Sequence, residues 1–265
     1  MDTRIGLAFG GGFARGVAHV GVLDVFRRHR IPIHCVTGVS AGAMVAAAYA
    51  SGTSLEEIAQ IGCSMRFGDV GRLRPGRLGL VSSQCMEQFL ARLLKRNRFD
   101  EMQMPLGVVA TDLSTGEPVG FSKSGDVVTP LRASCAFPGL FKPVRHEGRL
   151  LVDGAIGMTV PAALARQLGA THVVGVAVSP RTASEPANML EVVGRCFQIL
   201  QSRTDDAWRH DSDLMIVPDV GGVDWNAFNR GPDLIAAGEA AALAALPTIR
   251  QWLLPISQAP AKMVA

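Results

Sequence analysis

Short apolar runs of strand length alternate with helix-period stretches along the first fifty residues. Ile5 to Phe9 is continuously apolar, and Val17 to His29 spaces its apolar side chains for a helix. Ile33 to Thr37 then returns to strand character, and Ala41 to Ala50 is an Ala-rich helical stretch. This pattern predicts a βαβα opening. The stretch Pro32 to Leu55 carries no formal charge apart from that available to His34, a length at which a membrane span must be weighed. Gly38, Ser40 and Gly42 interrupt it, so a buried strand followed by a buried helix is the better reading.

Further on, Ser54-Leu-Glu-Glu57 has the form of a capping box opening a short helix. Ser83 to Arg96 places Met86, Phe89, Leu90, Leu93 and Leu94 on one helical face, and the Gly- and Arg-rich stretch between the two helices reads as an irregular loop. Leu106 to Leu113 reads as a buried strand, paired through the turn Ser114 to Pro118 with Val119 to Ser122. Asp126 to Ala136 is helical up to Phe137-Pro-Gly139, and Val144 to Arg145 forms a second hairpin with Arg149 to Val152. Pro161 to Leu168 is a helix stopped by Gly169, and His172 to Val178 a strand. Residues 179 to 187 read as a surface loop, Asn188 to His210 as a helix, Leu214 to Val217 as a strand, and Pro232 to Leu254 as a helix broken or kinked at Pro247. The expected fold is α/β: an open, mainly parallel central sheet between helix layers.

Composition narrows the function. The 265 residues fit one domain over 1–265, and 48% hydrophobic against 18% charged residues excludes a disordered chain. A formal charge of +3 without a basic stripe argues against nucleic acid as a partner. Cys35, Cys63, Cys85, Cys135 and Cys196 are odd in number and widely spaced, which suits a reducing cytoplasm and neither a disulfide frame nor a zinc site. No secretory signal pattern follows Met1, so a cytoplasmic location, with peripheral contact at the inner membrane surface, is expected.

Chemistry concentrates in three places. Gly38-Val-Ser-Ala-Gly42 lies where a strand meets a helix, the context of a nucleophile elbow that lifts Ser40 out of the sheet edge. Gly10-Gly-Gly-Phe-Ala-Arg-Gly16 fills the preceding strand-to-helix turn, and its amides suit an anionic oxygen. A dinucleotide fingerprint would need an acid near the end of the second strand, and residues 31 to 40 contain none. Asp153-Gly154 follows directly on the apolar strand Leu150-Leu-Val, which puts a carboxylate at a strand end; an Asx-turn is the plain structural alternative. Of the six histidines, His172 and His210 stand in the order that a Ser40–Asp153–His triad would need, although only one strand clearly precedes the nucleophile's own.

Together these segments resemble the patatin-like phospholipase family. Ala110-Thr-Asp-Leu-Ser-Thr-Gly116, Arg132-Ala-Ser-Cys-Ala-Phe-Pro-Gly-Leu-Phe-Lys-Pro-Val144 and Leu151-Val-Asp-Gly-Ala155 look like segments of its bacterial members, over about residues 4–220, with the helical segment 232–254 beyond. The resemblance implies a three-layer patatin-like fold, Ser40 as nucleophile and Asp153 as base. It also implies an oxyanion hole from the amides around Gly11, Gly12, Phe13 and Arg15, with Gly38, Gly42, Gly154 and Ala155 as motif positions. The implied activity is hydrolysis of carboxylic esters in phospholipid- or lysophospholipid-like substrates through an acyl-enzyme, with no metal or other cofactor. A general cytosolic carboxylesterase and a non-catalytic regulatory protein on the same scaffold are the alternatives.

Two departures carry expectations of their own. Phe13 stands where a third glycine is usual, so its backbone must keep a negative φ or be strained. Gly157-Met-Thr-Val-Pro161 lacks the asparagines often found after the Asp-Gly motif, which removes one expected support of the site. Finally, Arg66, Arg72, Arg74 and Arg77, interspersed with Phe67, Val70, Leu73, Leu78 and Leu80, leave two readings open: a solvated loop whose arginines keep the protein soluble, or a flap that makes transient contact with an anionic membrane surface.

Overall fold

The computed structural model describes residues 2–178, 185–186 and 188–254. In chain order the elements are β1 (Ile5–Phe9), α1 (Ala18–Arg28), β2 (Cys35–Val39), α2 (Ala41–Ser51), α3 (Leu55–Ser64), α4 (Phe67–Val70), β3 (Arg72–Gly76) and β4 (Gly79–Ser82). They continue with α5 (Gln84–Leu93), β5 (Leu106–Asp112), β6 (Pro118–Ser122), α6 (Val128–Ser134), β7 (Val144–His146) and β8 (Arg149–Asp153). α7 (Ala162–Gln167), β9 (His172–Val176), α8 (Met189–His210), β10 (Leu214–Ile216) and α9 (Gly231–Trp252) complete the chain.

The main sheet has eight strands. β10, β9, β1, β2 and β5 run parallel in that spatial order, and β6 and the β7–β8 hairpin add to it antiparallel. Strand alternation in β1 explains the layering. Ile5, Leu7 and Phe9 pack into the large core cluster with α1, α2 and α9, while Ala8 joins the small-residue cluster of Ala162 and Ala165 on α7. Both faces of the sheet are thus covered, which is why the central strands read as uninterrupted apolar runs. The uncharged stretch from Pro32 follows the same logic: β2 is buried throughout and α2 nearly so, inside the sheet and the helix layer on it.

The capping box at α3 forms, with the Ser54 hydroxyl accepting from Glu57 N–H at 3.2 Å and Ser54 N–H donating to Glu57 Oε2 at 3.1 Å. Other expectations need correction. α1 is preceded by a separate 3-10 turn over Phe13–Val17, and β2 lies two residues later than its pattern suggested, running directly into Ser40. The Gly- and Arg-rich stretch is regular: α4 leads into a two-stranded hairpin of β3 and β4, where antiparallel pairing satisfies backbone groups that side-chain composition alone left open. α9 continues through Pro247. The missing N–H removes only the bond to the Leu243 carbonyl, on a residue exposed to solvent. The surface loop expected at 179–187 falls almost wholly outside the described residues.

Candidate active site

Ser40 sits between the end of β2 and the start of α2 at φ 52° and ψ −128°, a conformation that L-residues rarely adopt. Its surroundings enforce it. A Cβ on Gly38 would lie 2.5 Å from the Ala43 nitrogen, and one on Gly42 would lie 2.5 Å from the Gly10 carbonyl oxygen. Both flanking glycines are therefore required for the strand and helix to meet this tightly. Ser40 N–H donates to Ser134 Oγ at 2.8 Å, and Ser134 in turn donates to the Val109 carbonyl of β5 at 2.6 Å.

Strand β5 acts as the common ruler for the two reacting side chains. Along residues 107–109 its edges are filled by β2 and β6. At Ala110 and Thr111, β6 keeps one edge, so β8 must take the edge that β2 has just vacated. Val39 pairs with Val109, and Asp153 with the next residue, Ala110. The end of β2 thus abuts the end of β8, and Ser40 Oγ donates to Asp153 Oδ2 at 2.8 Å across 113 residues of sequence.

Asp153 is 2% exposed. Burial drives its carboxyl up to about 7, against the hydrogen bonds from Ala155 N–H and the Ser40 hydroxyl, which favour the charged form. Oδ1 accepts the Ala155 N–H at 2.9 Å, so each oxygen has a donor and the carboxylate plane is set. Thr111 braces the following turn: its hydroxyl donates to the Asp153 carbonyl at 3.0 Å and accepts from Gly157 N–H at 3.0 Å. That clasp supplies the support for which the segment after Asp-Gly lacks asparagines. Cys135, buried beside the pair, has its thiol held well above the ordinary range by burial and by the Asp153 charge, which leaves it neutral.

The glycine loop lines the same pocket through Gly11, Gly12, Phe13 and Arg15. Its amides divide into two sets. Those of Gly10, Ala14 and Arg15 donate to the carbonyls of Val176, Trp225 and Gly12. Those of Gly11, Gly12 and Phe13 have no acceptor among the described bonds. Arg15 therefore lines the pocket through its side chain, while its amide closes the 3-10 turn. That guanidinium is buried, which lowers its pKa to about 10 against the raising effect of Asp224, and its Nε has no acceptor among the described residues. Phe13 takes the strained branch at φ 51°, with its ring 5.0 Å from Trp225 and 5.3 Å from Phe137. Phe137 stands in turn 5.4 Å from Phe197 of α8, so an aromatic row runs along the pocket wall.

Histidine plays no part in the pocket lining. His172 begins β9, opposite Ile5 in register and hence at the far end of the parallel sheet from Ser40, and stacks on Trp252. His210 ends α8. His19 lies behind the glycine loop, its Nε2–H donating to the Gly10 carbonyl at 2.9 Å, and burial pulls its pKa down to about 4, so it is neutral. Among the described residues no group of three or more His, Cys, Asp or Glu could hold a metal ion.

Ser134, Thr111, Trp225, Phe197 and Gln201 were not singled out as site residues by sequence reasoning. Ser134 and Thr111 did lie within the quoted segments; the last three carry no motif and reach the pocket only through tertiary packing.

A family model for patatin-like phospholipases matches residues 7–166, more than half of the chain and inclusive of the glycine loop, the elbow and Asp-Gly. The chain belongs to this family. An uncharacterized NTE family protein of Mycobacterium tuberculosis is 31% identical over 181 residues, covering 67% of this patatin-like chain and 50% of the relative. Lysophospholipase NTE1 of Mycosarcoma maydis is 28% identical over 226 residues, covering 82% of this chain and 12% of that protein. The chain thus spans about half the length of the first curated relatives it matches. Among solved structures, VipD from Legionella pneumophila superposes with a TM-score of 0.60 at 16% identity, over 93% of this chain and 67% of that one, a likeness of fold.

Proposed function

We propose that this patatin-like protein is a serine acyl hydrolase that cleaves carboxylic esters of phospholipid or lysophospholipid type through a Ser40–Asp153 dyad. The observation that carries this reading is the 2.8 Å bond between Ser40 Oγ and Asp153 Oδ2 at the floor of a pocket walled by aromatic rings. In the forward step Ser40 Oγ attacks the ester carbonyl carbon and its proton passes to Asp153 Oδ2. The oxygen that gains negative charge is held by the amides of Gly11, Gly12 and Phe13, which have no acceptor among the described residues. Collapse breaks the ester C–O bond, and the alcohol leaves with the proton from Asp153. Water then attacks the acyl-enzyme with Asp153 again as base, which releases the fatty acid and restores Ser40.

A carboxyl raised to about 7 suits this work, since a base is most useful when its pKa lies near the operating pH. The lysophospholipase name of one relative supports the choice of a lipid ester over a soluble one. We also assign the arginines of the β3–β4 hairpin to transient contact with anionic lipid, at the cytoplasmic face of a membrane. β3 is exposed along its whole length, and Leu80 and Val81 N–H both donate to the carbonyl of Leu140, a residue of the pocket wall.

The test is labelling with a fluorophosphonate probe followed by turnover of lysophospholipid. Labelling at Ser40 that disappears in Ser40→Ala is the expected result; undiminished labelling in that variant would end the proposal. Equal rates on dispersed and aggregated substrate would favour a general carboxylesterase.

A further inference from the structure

Helix α8 reverses the usual amphipathic arrangement. At about 100° per residue, Glu191, Gly194, Gln198 and Gln201 fall on one face, and all four line the Ser40 pocket. Met189, Val192, Cys196, Ile199 and Leu200 fall on the opposite face. From residue 189 to 201, every described side chain that is exposed belongs to this apolar set, with Met189 at 70% and Leu200 at 58%. A surface helix ordinarily buries its apolar stripe and shows water its polar one.

Contacts beneath the helix hold it in this orientation. Gln201 Nε2 donates to the Ala155 carbonyl at 2.6 Å, and the Phe197 ring meets Phe137. The outward stripe runs over eleven residue steps, roughly 16 Å of helix. A second exposed apolar element attaches to the same pocket wall: Leu73 and Leu78 of the β3–β4 hairpin, flanked by Arg72, Arg74 and Arg77. Segment 66–82 holds four arginines against one acid, Asp69.

We infer that the outer stripe of α8 is a membrane-docking face that seats the pocket mouth on an anionic lipid surface. The inference rests on the lipid-ester reading above. Apolar side chains enter the boundary between head groups and acyl chains, while arginine stems lie along that boundary and their guanidinium groups meet the phosphates. Lipid is favoured over a second copy of this chain by charge. The hairpin joined to the same pocket wall carries Arg72, Arg74 and Arg77, which an anionic surface complements and a second copy with the same net positive charge does not.

The experiment replaces Met189→Gln, Val192→Gln, Ile199→Gln and Leu200→Gln together, none of which lines the pocket. Binding to phosphatidylglycerol-containing vesicles should fall by about tenfold or more, since burial of these apolar side chains is what drives docking. Hydrolysis of lysophospholipid presented in vesicles should fall in step, while hydrolysis of soluble p-nitrophenyl butyrate stays unchanged. Undiminished vesicle binding overturns the inference, as does loss of self-association by analytical ultracentrifugation with vesicle binding intact. Should the variant fail to fold, the unsubstituted helix offers its own probe. Cys196 is the one exposed cysteine of the five, and a polarity-sensitive dye on it should shift to the blue with anionic vesicles. An unshifted dye overturns the inference. Failure of the parent reading looks different: no Ser40-dependent turnover of the soluble ester, whatever the vesicles do.

Discussion

Two strand-to-helix turns lie side by side at the ends of the paired strands β1 and β2, and each holds a non-glycine residue at nearly the same positive φ: 51° at Phe13 and 52° at Ser40. The two turns use that conformation in opposite ways. At Ser40 the amide is tied to Ser134 and the side chain is displayed toward Asp153. At Phe13 the ring is fixed between Trp225 and Phe137, and the amide is the group left available. Strain of this kind costs about 1–3 kcal/mol per residue and persists only where neighbours overdetermine it. The contrast teaches that a strained turn can present either a side chain or a backbone donor, and that whichever half is not used is the half that packing holds.

The sharpest way to break the comparison is at the displayed side chain. Ser40→Ala should lower lysophospholipid turnover by on the order of 10⁴ or more while leaving the melting temperature near that of the wild type. Asp153→Asn should cost about 10² to 10⁴ in turnover, because the amide keeps the shape but cannot take the proton. If His172→Ala or His210→Ala cost as much, a triad would replace the dyad.

The same carboxyl gives a pH test with a definite sign. Since the folded-state pKa is raised to about 7, the native state holds its proton more tightly than the unfolded chain does, and stability falls as pH rises from about 4 through 7. Asp153→Asn should therefore gain stability over the wild type at pH 8, on the order of a few kcal/mol, and lose that advantage near pH 4. Turnover by the wild type should move the other way, rising with pH through about 7 as the base ionises. Chemical denaturation at the two pH values, set beside a kcat/KM profile, checks both; a variant with no pH-dependent gain would contradict the buried-carboxyl account.

A smaller effect is expected at the tie beneath the elbow. Ser134→Ala leaves both Ser40 N–H and the Val109 carbonyl without a partner in a buried setting, which should cost about 1–3 kcal/mol in urea unfolding. The smallest effect belongs to Phe13→Gly. Relief of strain and loss of ring contacts oppose one another there, so stability should change by about 1 kcal/mol or less. Activity should survive, with a shift in acyl preference toward chains that fill the space left by the ring. Complete loss of activity with the fold intact would mean that the Phe13 ring, and not its amide, is the working half of the turn.

Local order was legible in the residues themselves. The βαβα opening, the elbow between Gly38 and Gly42, the glycine loop and the capping box at Ser54 each depend on neighbours a few positions apart, where sterics and hydrogen-bonding reach decide the outcome. The Arg-rich hairpin was misread because the pairing of β3 with β4 is a property of two segments together, and Gly and Pro within them mask it.

What the sequence by itself determined is therefore the inventory: an alternating α/β chain, a serine on a forced turn, a glycine-rich loop at the neighbouring turn and a carboxylate at a strand end. Only the tertiary structure decided that Asp153 meets Ser40, because the meeting depends on β2 and β8 sharing one edge of β5 at consecutive residues, a register that no local pattern encodes. It also decided that this carboxyl is buried deeply enough to sit near 7, and that α8 turns its polar face inward over the pocket and its apolar face to the outside. Burial and facing are properties of what packs against a residue, and for these residues the packing partners lie tens to hundreds of positions away.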